Sequence, residues 1–163
     1  FYGLPMSVDL DKGQIKKVYF KKSRELHPDM HSNADSEGLK RIEEESAINS
    51  KAYEVLSNFD SRLNHLLECL SEGPLESPTL SPTFLMEMME INESVEFMTD
   101  ADKEELRADV INREAHLKAQ LGDLVSQDLR SISEEELDSL KSYFFERKYL
   151  LRILENLDNL AAL

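Results

Sequence analysis

The sequence has 163 residues, of which 40% are hydrophobic and 32% charged, with five glycines, five prolines and no tryptophan. This composition indicates a soluble, mainly helical chain rather than a loop-rich all-β protein, and the length allows one ordinary domain or two small ones. The net charge of −14 argues against nucleic acid as a partner, because phosphate binding depends on clustered Lys and Arg.

Cysteine content and the first residues predict the cellular compartment. The single cysteine, Cys69, excludes an intramolecular disulfide and a cysteine-based zinc site and fits a reducing compartment. Residues 1–8 lack the basic start and apolar run of a signal peptide, and no apolar stretch is long enough to span a bilayer. We expect an intracellular protein without a metal or cofactor framework. A short further stretch is expected before Phe1, since the sequence starts within a motif.

The first predicted helix ends at a proline. Asp9 or Asp11 can cap this helix. It should stop near His27, because Pro28 cannot continue the hydrogen-bond ladder and restricts the residue before it. The polar stretch from Met30 to Ser36 then predicts an exposed loop. Apolar residues recur at helical spacing along the helix: Ile15, Val18, Tyr19 and Leu26.

Positive charge is concentrated on this helix. Lys17, Lys21 and Arg24 form a stripe opposite the apolar residues. The stripe is either a solvated helix face or a surface that steers an acidic partner electrostatically. Residues 12–24 contain six basic residues and no acid, in a chain that is acidic as a whole: Lys12, Lys16, Lys17, Lys21, Lys22 and Arg24.

Two more helices are predicted in the first half. A long one starts at Glu37 and should pair antiparallel with the first helix. That pairing puts the loop between them at the tip of a helical hairpin, where functional residues are often displayed. A short helix is predicted from about Ser61 to Leu70. The long helix carries, roughly on one side, Leu39, Ile42, Asn49, Ala52, Tyr53 and Leu56.

The stretch 71–82 is the predicted linker, because it holds three prolines, a glycine and several serines. We therefore predict domains at 1–70 and 83–163. Three further helices follow, and their short connections favour an antiparallel three-helix bundle. Gly122 is expected to weaken the middle helix slightly. Their start signals are Ser81-Pro82, then Thr99 or Asp100, and then a capping box of Ser133 with Glu136.

The first of these three helices, expected to run to about Met98, has more apolar residues than one core face needs. Leu85, Met86 and Met89 fall beside the core-facing stripe, on the side of Glu90 and Glu93. An apolar patch rimmed by carboxylates suggests a protein-binding surface, for which methionine is well suited. The alternative is a wide face buried against both partner helices. The complete stripe, at steps of four, three, four and three, is Phe84, Met88, Ile91, Val95 and Met98.

A basic helix, the tripeptide His27-Pro28-Asp29, a polar loop and a second amphipathic helix together resemble the J-domain family. The run Ile15-Lys16-Lys17-Val18-Tyr19 lies at that family's usual distance upstream of the tripeptide. Further stretches in both halves resemble the HscB family of J-type co-chaperones of iron–sulfur cluster assembly: Gly3-Leu4-Pro5, Asn49 to Leu56, Asp60-Ser61-Arg62 before Leu66-Leu67, and Phe84-Leu85-Met86-Glu87.

The resemblance implies an all-α fold in which a J-domain and an antiparallel three-helix bundle form an L-shaped arrangement. It implies that the first half stimulates ATP hydrolysis by a DnaK/HscA-class chaperone, while the second half delivers the iron–sulfur scaffold protein, IscU. No residue of this chain would be catalytic. The implied chaperone-binding residues are His27, Pro28, Asp29, Lys16, Lys17, Lys21 and Arg24. The implied scaffold-binding residues are Leu85, Met86, Met89, Glu90, Glu93 and Tyr149.

Some positions depart from the family pattern. Lys22 stands where an apolar residue is common, although its aliphatic stem can cover the core while the ammonium reaches water. Phe97 stands where a further acid is expected. The aromatic residue that the family carries on its last helix corresponds here to Tyr149. The resemblance implies a bacterial cytoplasmic location, or a mitochondrial one if the chain is eukaryotic.

Two other functions remain open. His27, Asp29 and His31 are suitable metal ligands for an enzyme, but no second ligand cluster, nucleophile–base pair or glycine-rich phosphate loop accompanies them. A J-domain adaptor for a different client would have the same features in its first half. Only the second half can therefore distinguish such an adaptor from a co-chaperone of iron–sulfur assembly. The sequence predicts no oligomeric state.

Overall fold

The computed structural model describes residues 1–32, 35–71 and 75–161, and in those residues it contains helices and no strand. The predicted all-α class is confirmed. The chain divides into two compact units: Phe1–Glu72 with Ser126–Arg130, and Gly73–Val125 with Ser131–Leu163. No helix in the described ranges is both long and apolar enough to cross a membrane.

Helix starts in the first unit are set by side-chain caps. Asp11 accepts a hydrogen bond from the backbone N–H of Gln14, and Asp35 and Asn58 cap the next two α-helices in the same way. Of the predicted loop between the first two helices, residues 33–34 lie outside the described residues. The remainder includes a 3-10 turn, because Pro28 fits the first position of a helix. The elements are α1 (Lys12–Glu25), the 3-10 turn Pro28–His31, α2 (Ser36–Ser57) and α3 (Phe59–Leu70).

Helices α1 and α2 form the predicted antiparallel hairpin. Tyr19 stacks on Tyr53 with ring centroids 4.3 Å apart, and Ser23 contacts Asn49, so the contacts run forward along α1 and backward along α2. The buried Asn49 amide donates to the Tyr19 carbonyl oxygen at 3.3 Å and to the Ser23 hydroxyl at 3.0 Å. Its side-chain oxygen accepts from the hydroxyl of Tyr2 at 2.9 Å. The two helices are therefore joined by a satisfied polar network as well as by apolar packing.

A buried guanidinium ties α3 to the preceding chain. Arg62 donates to the carbonyl oxygens of Leu56 at 2.6 Å and of Val8 at 3.4 Å. Burial lowers the pKa of Arg62, and the nearby Asp9 carboxylate opposes that shift. Apolar side chains fill the rest of this core: Val8, Ile15, Leu63, Leu66 and Leu67.

In the second unit, two of the three predicted helix starts are confirmed by side-chain caps, whereas Ser81 precedes Pro82 at the start of the first helix without a side-chain cap bond. Thr99 and Asp102 form a capping box, as do Ser133 and Glu136. Gly122 lies beyond the middle helix rather than inside it. Its φ of +53° is a left-handed conformation that suits glycine just past a helix C-terminus, so the expected weakening of that helix does not arise. The α-helices are α4 (Pro82–Ser94), α5 (Asp100–Gln120) and α6 (Glu134–Ala161), with 3-10 turns at Val95–Phe97, Gly122–Val125 and Leu129–Ser131.

The three helices of this unit form the predicted bundle, in which α5 is antiparallel to α6. Helix α4 is parallel to α6, since Phe84 packs against Tyr149 and Asn92 accepts a hydrogen bond from Asn156 further along both helices. Glu114 on α5 accepts hydrogen bonds from Tyr143 and Arg147 on α6, and Arg107 pairs with Asp158 at 2.6 Å, further back along α5 and further forward along α6. The predicted core stripe of α4 is confirmed: Met88 and Val95 are buried, and Phe84, Ile91 and Met98 pack against the same cluster as Val110, Leu150, Ile153 and Leu157.

The predicted linker, 71–82, is only partly described, because residues 72–74 lie outside the described residues. Leu80 within it is buried, and Pro82 already belongs to α4. Ser126–Arg130 clusters with the first unit, where Leu129 is fully buried and its backbone N–H donates to the carbonyl oxygen of Met6 at 2.7 Å. The domain limits at 70 and 83 stay a prediction.

Candidate functional site

The tripeptide His27-Pro28-Asp29 lies exposed directly after α1. The backbone turns there because Leu26 ends the helix and Pro28 starts the 3-10 turn. Nδ1 of His27 accepts from the backbone N–H of Asp29 at 3.2 Å, and the His27 carbonyl accepts from the N–H of Met30 at 2.9 Å. These bonds fix the turn locally, so the outer imidazole edge and the Asp29 carboxylate face solvent as a donor and an acceptor.

Four basic residues of α1 near the tripeptide are exposed. We call Lys16, Lys17, Lys21 and Arg24 the basic face of α1. Lys21 lies 3.8 Å from Glu25, and both side chains are well solvated, so this pair leaves the charge of the lysine available to a partner. Lys22 is half-buried instead. Its ammonium stands 4.1 Å from the ring centroid of Phe1, so its stem covers apolar surface as expected.

Sequence reasoning missed an apolar part of this surface. Phe20 and Met30 are 51% and 73% exposed. Both line a shallow cleft together with His27 and Asp29 of the tripeptide. A helical wheel would have found Phe20, because it lies about 140° around α1 from the buried Ile15 and thus among the basic residues.

The residues of the metal hypothesis do not form a ligand set. Nδ1 of His27 is used by the Asp29 N–H, and Nε2 of His31 donates to the Glu25 carbonyl oxygen at 2.6 Å. Each of the two histidines thus has a ring nitrogen engaged with the backbone of its own turn. Across the described ranges, no three His, Cys, Asp or Glu side chains are grouped so that they could hold a metal ion.

A second exposed surface lies on α4. We call Leu85, Met86, Met89, Glu90 and Glu93 the methionine patch. Met86 and Met89 are 63% and 62% exposed, Leu85 is half-buried, and both carboxylates face solvent. The wide buried face that was the alternative is therefore wrong for the two methionines. Solvated methionines next to carboxylates, on a helix whose core face is already filled, offer a partner an adaptable apolar surface.

Tyr149 and Phe97, which lie further from the methionine patch in the sequence, differ in how exposed they are. Tyr149 on α6 is half-buried and packs edge-on against Phe84 of α4, with ring centroids 5.9 Å apart, so it supports the N-terminal part of α4. Phe97 is 87% exposed in the 3-10 turn that follows α4. It stands four residues after Glu93 in the sequence, beyond the end of α4.

Known proteins are similar to both halves of the chain. A family model described as the DnaJ domain matches residues 3–65, and one described as the HSCB C-terminal oligomerisation domain matches residues 80–158. A co-chaperone protein HscB homolog from Psychromonas ingrahamii is 26% identical over 155 residues, which cover 93% of this chain and 89% of that protein.

Further similarities agree with these matches. The mitochondrial J-type co-chaperone jac1 of Schizosaccharomyces pombe is 31% identical over 101 residues, which cover 61% of this chain but only 44% of jac1. The solved structure of chaperone HscB from Vibrio cholerae superposes with a TM-score of 0.70 at 22% identity, covering 99% of this chain and 94% of that one. The latter similarity shows a shared fold.

The J-domain match, the antiparallel hairpin and the exposed tripeptide define a J-type co-chaperone. Its second half matches the model of the HSCB C-terminal domain. The chain belongs to the HscB family.

Proposed function

We propose that this chain stimulates ATP hydrolysis by a DnaK/HscA-class chaperone and delivers the iron–sulfur scaffold protein IscU to it. The chain itself would not hydrolyse ATP, and the catalytic groups would belong to the chaperone. The observation that carries the proposal is that the methionine patch is solvated although α4 already supplies a complete core stripe. Its proposed place is the bacterial cytoplasm, or the mitochondrion in a eukaryote.

The chaperone would bind at the tripeptide and the basic face of α1. His27 and Asp29 offer a donor and an acceptor from a turn that its own backbone bonds hold in place. The exposed lysines and Arg24 would attract an acidic patch on the ATPase domain and accelerate encounter. Pro28 restricts the turn before binding, so less conformational entropy is lost in the complex.

The scaffold would bind at the methionine patch. Met86 and Met89 can adapt to an apolar partner surface, and Glu90 and Glu93 at its edge favour a partner with basic residues there. Tyr149 would act through Phe84, because its ring packs against that side chain from α6. It is therefore a positioning residue in this proposal.

Calorimetric titration of the full chain with its genome's scaffold protein tests the second half of the proposal. Changing Leu85, Met86 and Met89 together to Ala should weaken binding by at least about tenfold, since apolar anchors dominate such interfaces. Helicity should not change, because two of the three side chains are exposed. Ile111→Ala, which truncates an exposed apolar residue on α5 of the same unit, is the matched control.

A J-domain adaptor for a different client is the remaining alternative. It would stimulate the chaperone in the same way, because the tripeptide and the basic face are common to both functions. Wild-type chain that stimulates the chaperone but does not bind the scaffold would favour that alternative. Binding that is unaffected by the triple substitution would remove the methionine patch from the proposal.

A further inference from the structure

The outer surface of α1 is not purely basic. Phe20 lies on the face opposite the buried Ile15, where water-exposed residues are expected to be polar. The ammonium of Lys16 stands 5.9 Å from its ring centroid, and the Arg24 side chain donates to its carbonyl oxygen at 3.4 Å. The exposed aromatic ring thus has a lysine ammonium nearby, and an arginine side chain bonds the backbone of the same residue.

A second apolar side chain faces the same cleft from the other side of the tripeptide. Met30 follows Asp29 in the 3-10 turn and is the more exposed of the two residues. The cleft that they line also includes His27 and Asp29. Single exposed apolar residues are common on protein surfaces, but two that share a cleft with functional polar groups indicate a binding surface.

We infer that Phe20 and Met30 are an apolar binding element within the chaperone-docking surface. They would contact an apolar side chain of the ATPase chaperone that is surrounded by acidic residues. The inference rests on the proposed stimulation of that chaperone and adds a binding element to it. Charge complementarity identifies the partner, because Lys21 and Arg24 line the cleft with the apolar pair and Lys16 lies near the Phe20 ring. An acidic rim with an apolar centre fits such a surface.

The two kinds of residue would have separable effects. Exposed charges act over a distance, so they mainly change the association rate and lose their effect as salt screens them. Apolar contacts form only after encounter, so they mainly lengthen the lifetime of the complex and persist at high salt. An apolar contact should therefore be recognised by a defect that salt does not remove.

The test measures the concentration of full-length chain that half-saturates stimulation of a purified DnaK-class ATPase, at low and at high salt. The double variant Phe20→Ala with Met30→Ala should raise this concentration by about tenfold at both salt levels. Phe20→Leu should retain most of the affinity, because it keeps an apolar side chain in the cleft. Lys17→Ala should show a defect at low salt that shrinks at high salt.

Ile48→Ala is the matched control, since Ile48 is also 51% exposed but lies on α2 outside the cleft. Circular dichroism should be unchanged for every variant, because all the altered side chains are exposed. If wild type stimulates the ATPase and the double variant matches it within about twofold at both salt levels, the apolar contact is refuted while the proposed function stands. If wild type does not stimulate, the proposed function fails and the inference falls with it.

Discussion

Nδ1 of His27 accepts a hydrogen bond from the backbone N–H of Asp29 across 3.2 Å. In the neutral imidazole this leaves the proton on Nε2, which is the nitrogen that can donate to a partner. The same bond caps the 3-10 turn that holds Asp29. One side chain therefore both shapes the turn and presents the group that we expect the chaperone to recognise.

His27→Gln should reduce chaperone ATPase stimulation by at least about tenfold, which corresponds to about 1.4 kcal/mol of coupling. A glutamine amide cannot accept the Asp29 N–H bond and present an outward N–H donor in the same geometry as the two nitrogens of the imidazole ring. Steady-state ATPase assays with the full chain measure this loss. His116→Gln, an exposed histidine on α5, is the control and should leave stimulation unchanged. Retained stimulation in the His27 variant would contradict the role of the tripeptide.

Lys17→Ala should slow association with the chaperone at low salt by a few-fold, and the difference from wild type should nearly vanish in molar salt, where the Debye length falls to about 3 Å. Lys17 is exposed on the basic face. Stopped-flow or surface-based association rates measure the effect. Lys51→Ala on α2 removes the same charge from an exposed surface pair with Glu54 and should change the rate far less. Equal effects of both variants would mean that only net charge matters.

Asn49→Ala should destabilise the first unit by about 1–3 kcal/mol, because it removes the buried amide that joins Tyr19, Ser23 and Tyr2 and leaves polar groups without their partner. Chemical denaturation followed by circular dichroism measures the loss. Ser50→Ala, at the neighbouring exposed position, should stay close to wild type. A stability change for Asn49→Ala no larger than that of Ser50→Ala would show that the network contributes little.

Glu146→Gln should stabilise the second unit slightly at neutral pH. Burial raises the pKa of Glu146, which means that its charged form is less favourable in the folded chain than in the unfolded one. The charged carboxylate costs stability above its folded pKa, and this cost disappears as pH falls below the ordinary value of 4.5. We expect a gain below about 1 kcal/mol, since the group is only partly buried.

Thermal unfolding at neutral pH and near pH 4 measures this gain for Glu146→Gln. The stabilisation should be present at neutral pH and absent at the lower pH. Glu155→Gln, at an exposed position on the same helix, should show no such dependence. A gain that persists at low pH would mean that something other than the ionisation of Glu146 is responsible.

Local signals predicted where helices begin, because a cap is a short-range hydrogen bond between near neighbours. Ser133 makes the predicted cap bond, and of the alternatives left open Asp11 and Thr99 make theirs, whereas Ser81 makes none. The core stripe of α4 was predictable for the same reason, since its spacing follows from helix geometry alone. Gly122 was misassigned, because a glycine can weaken a helix or end it, and only its backbone conformation distinguishes the two.

Tertiary relationships were harder to predict. Leu39 was expected on the inner side of α2 but is exposed, whereas Arg62 on α3 is buried against two carbonyl oxygens. In both cases the burial of the side chain depends on how far neighbouring helices cover that position. A periodic sequence pattern does not contain that information. The exposed state of Met86 and Met89 was left open for the same reason, because a surplus of apolar residues is compatible with a patch or with a wider core.

Leu129 changes how the first unit can be isolated. A fragment that stops at the end of α3 would lack a fully buried leucine and its backbone bond to Met6, and would expose the apolar surface that this leucine covers. The contact between Met6 and Leu129 joins residues that are more than a hundred positions apart in the sequence. Because contacts between distant residues cost loop-closure entropy, this one slows folding of the unit. A ribosome must therefore have synthesised most of the chain before the first unit can be completed.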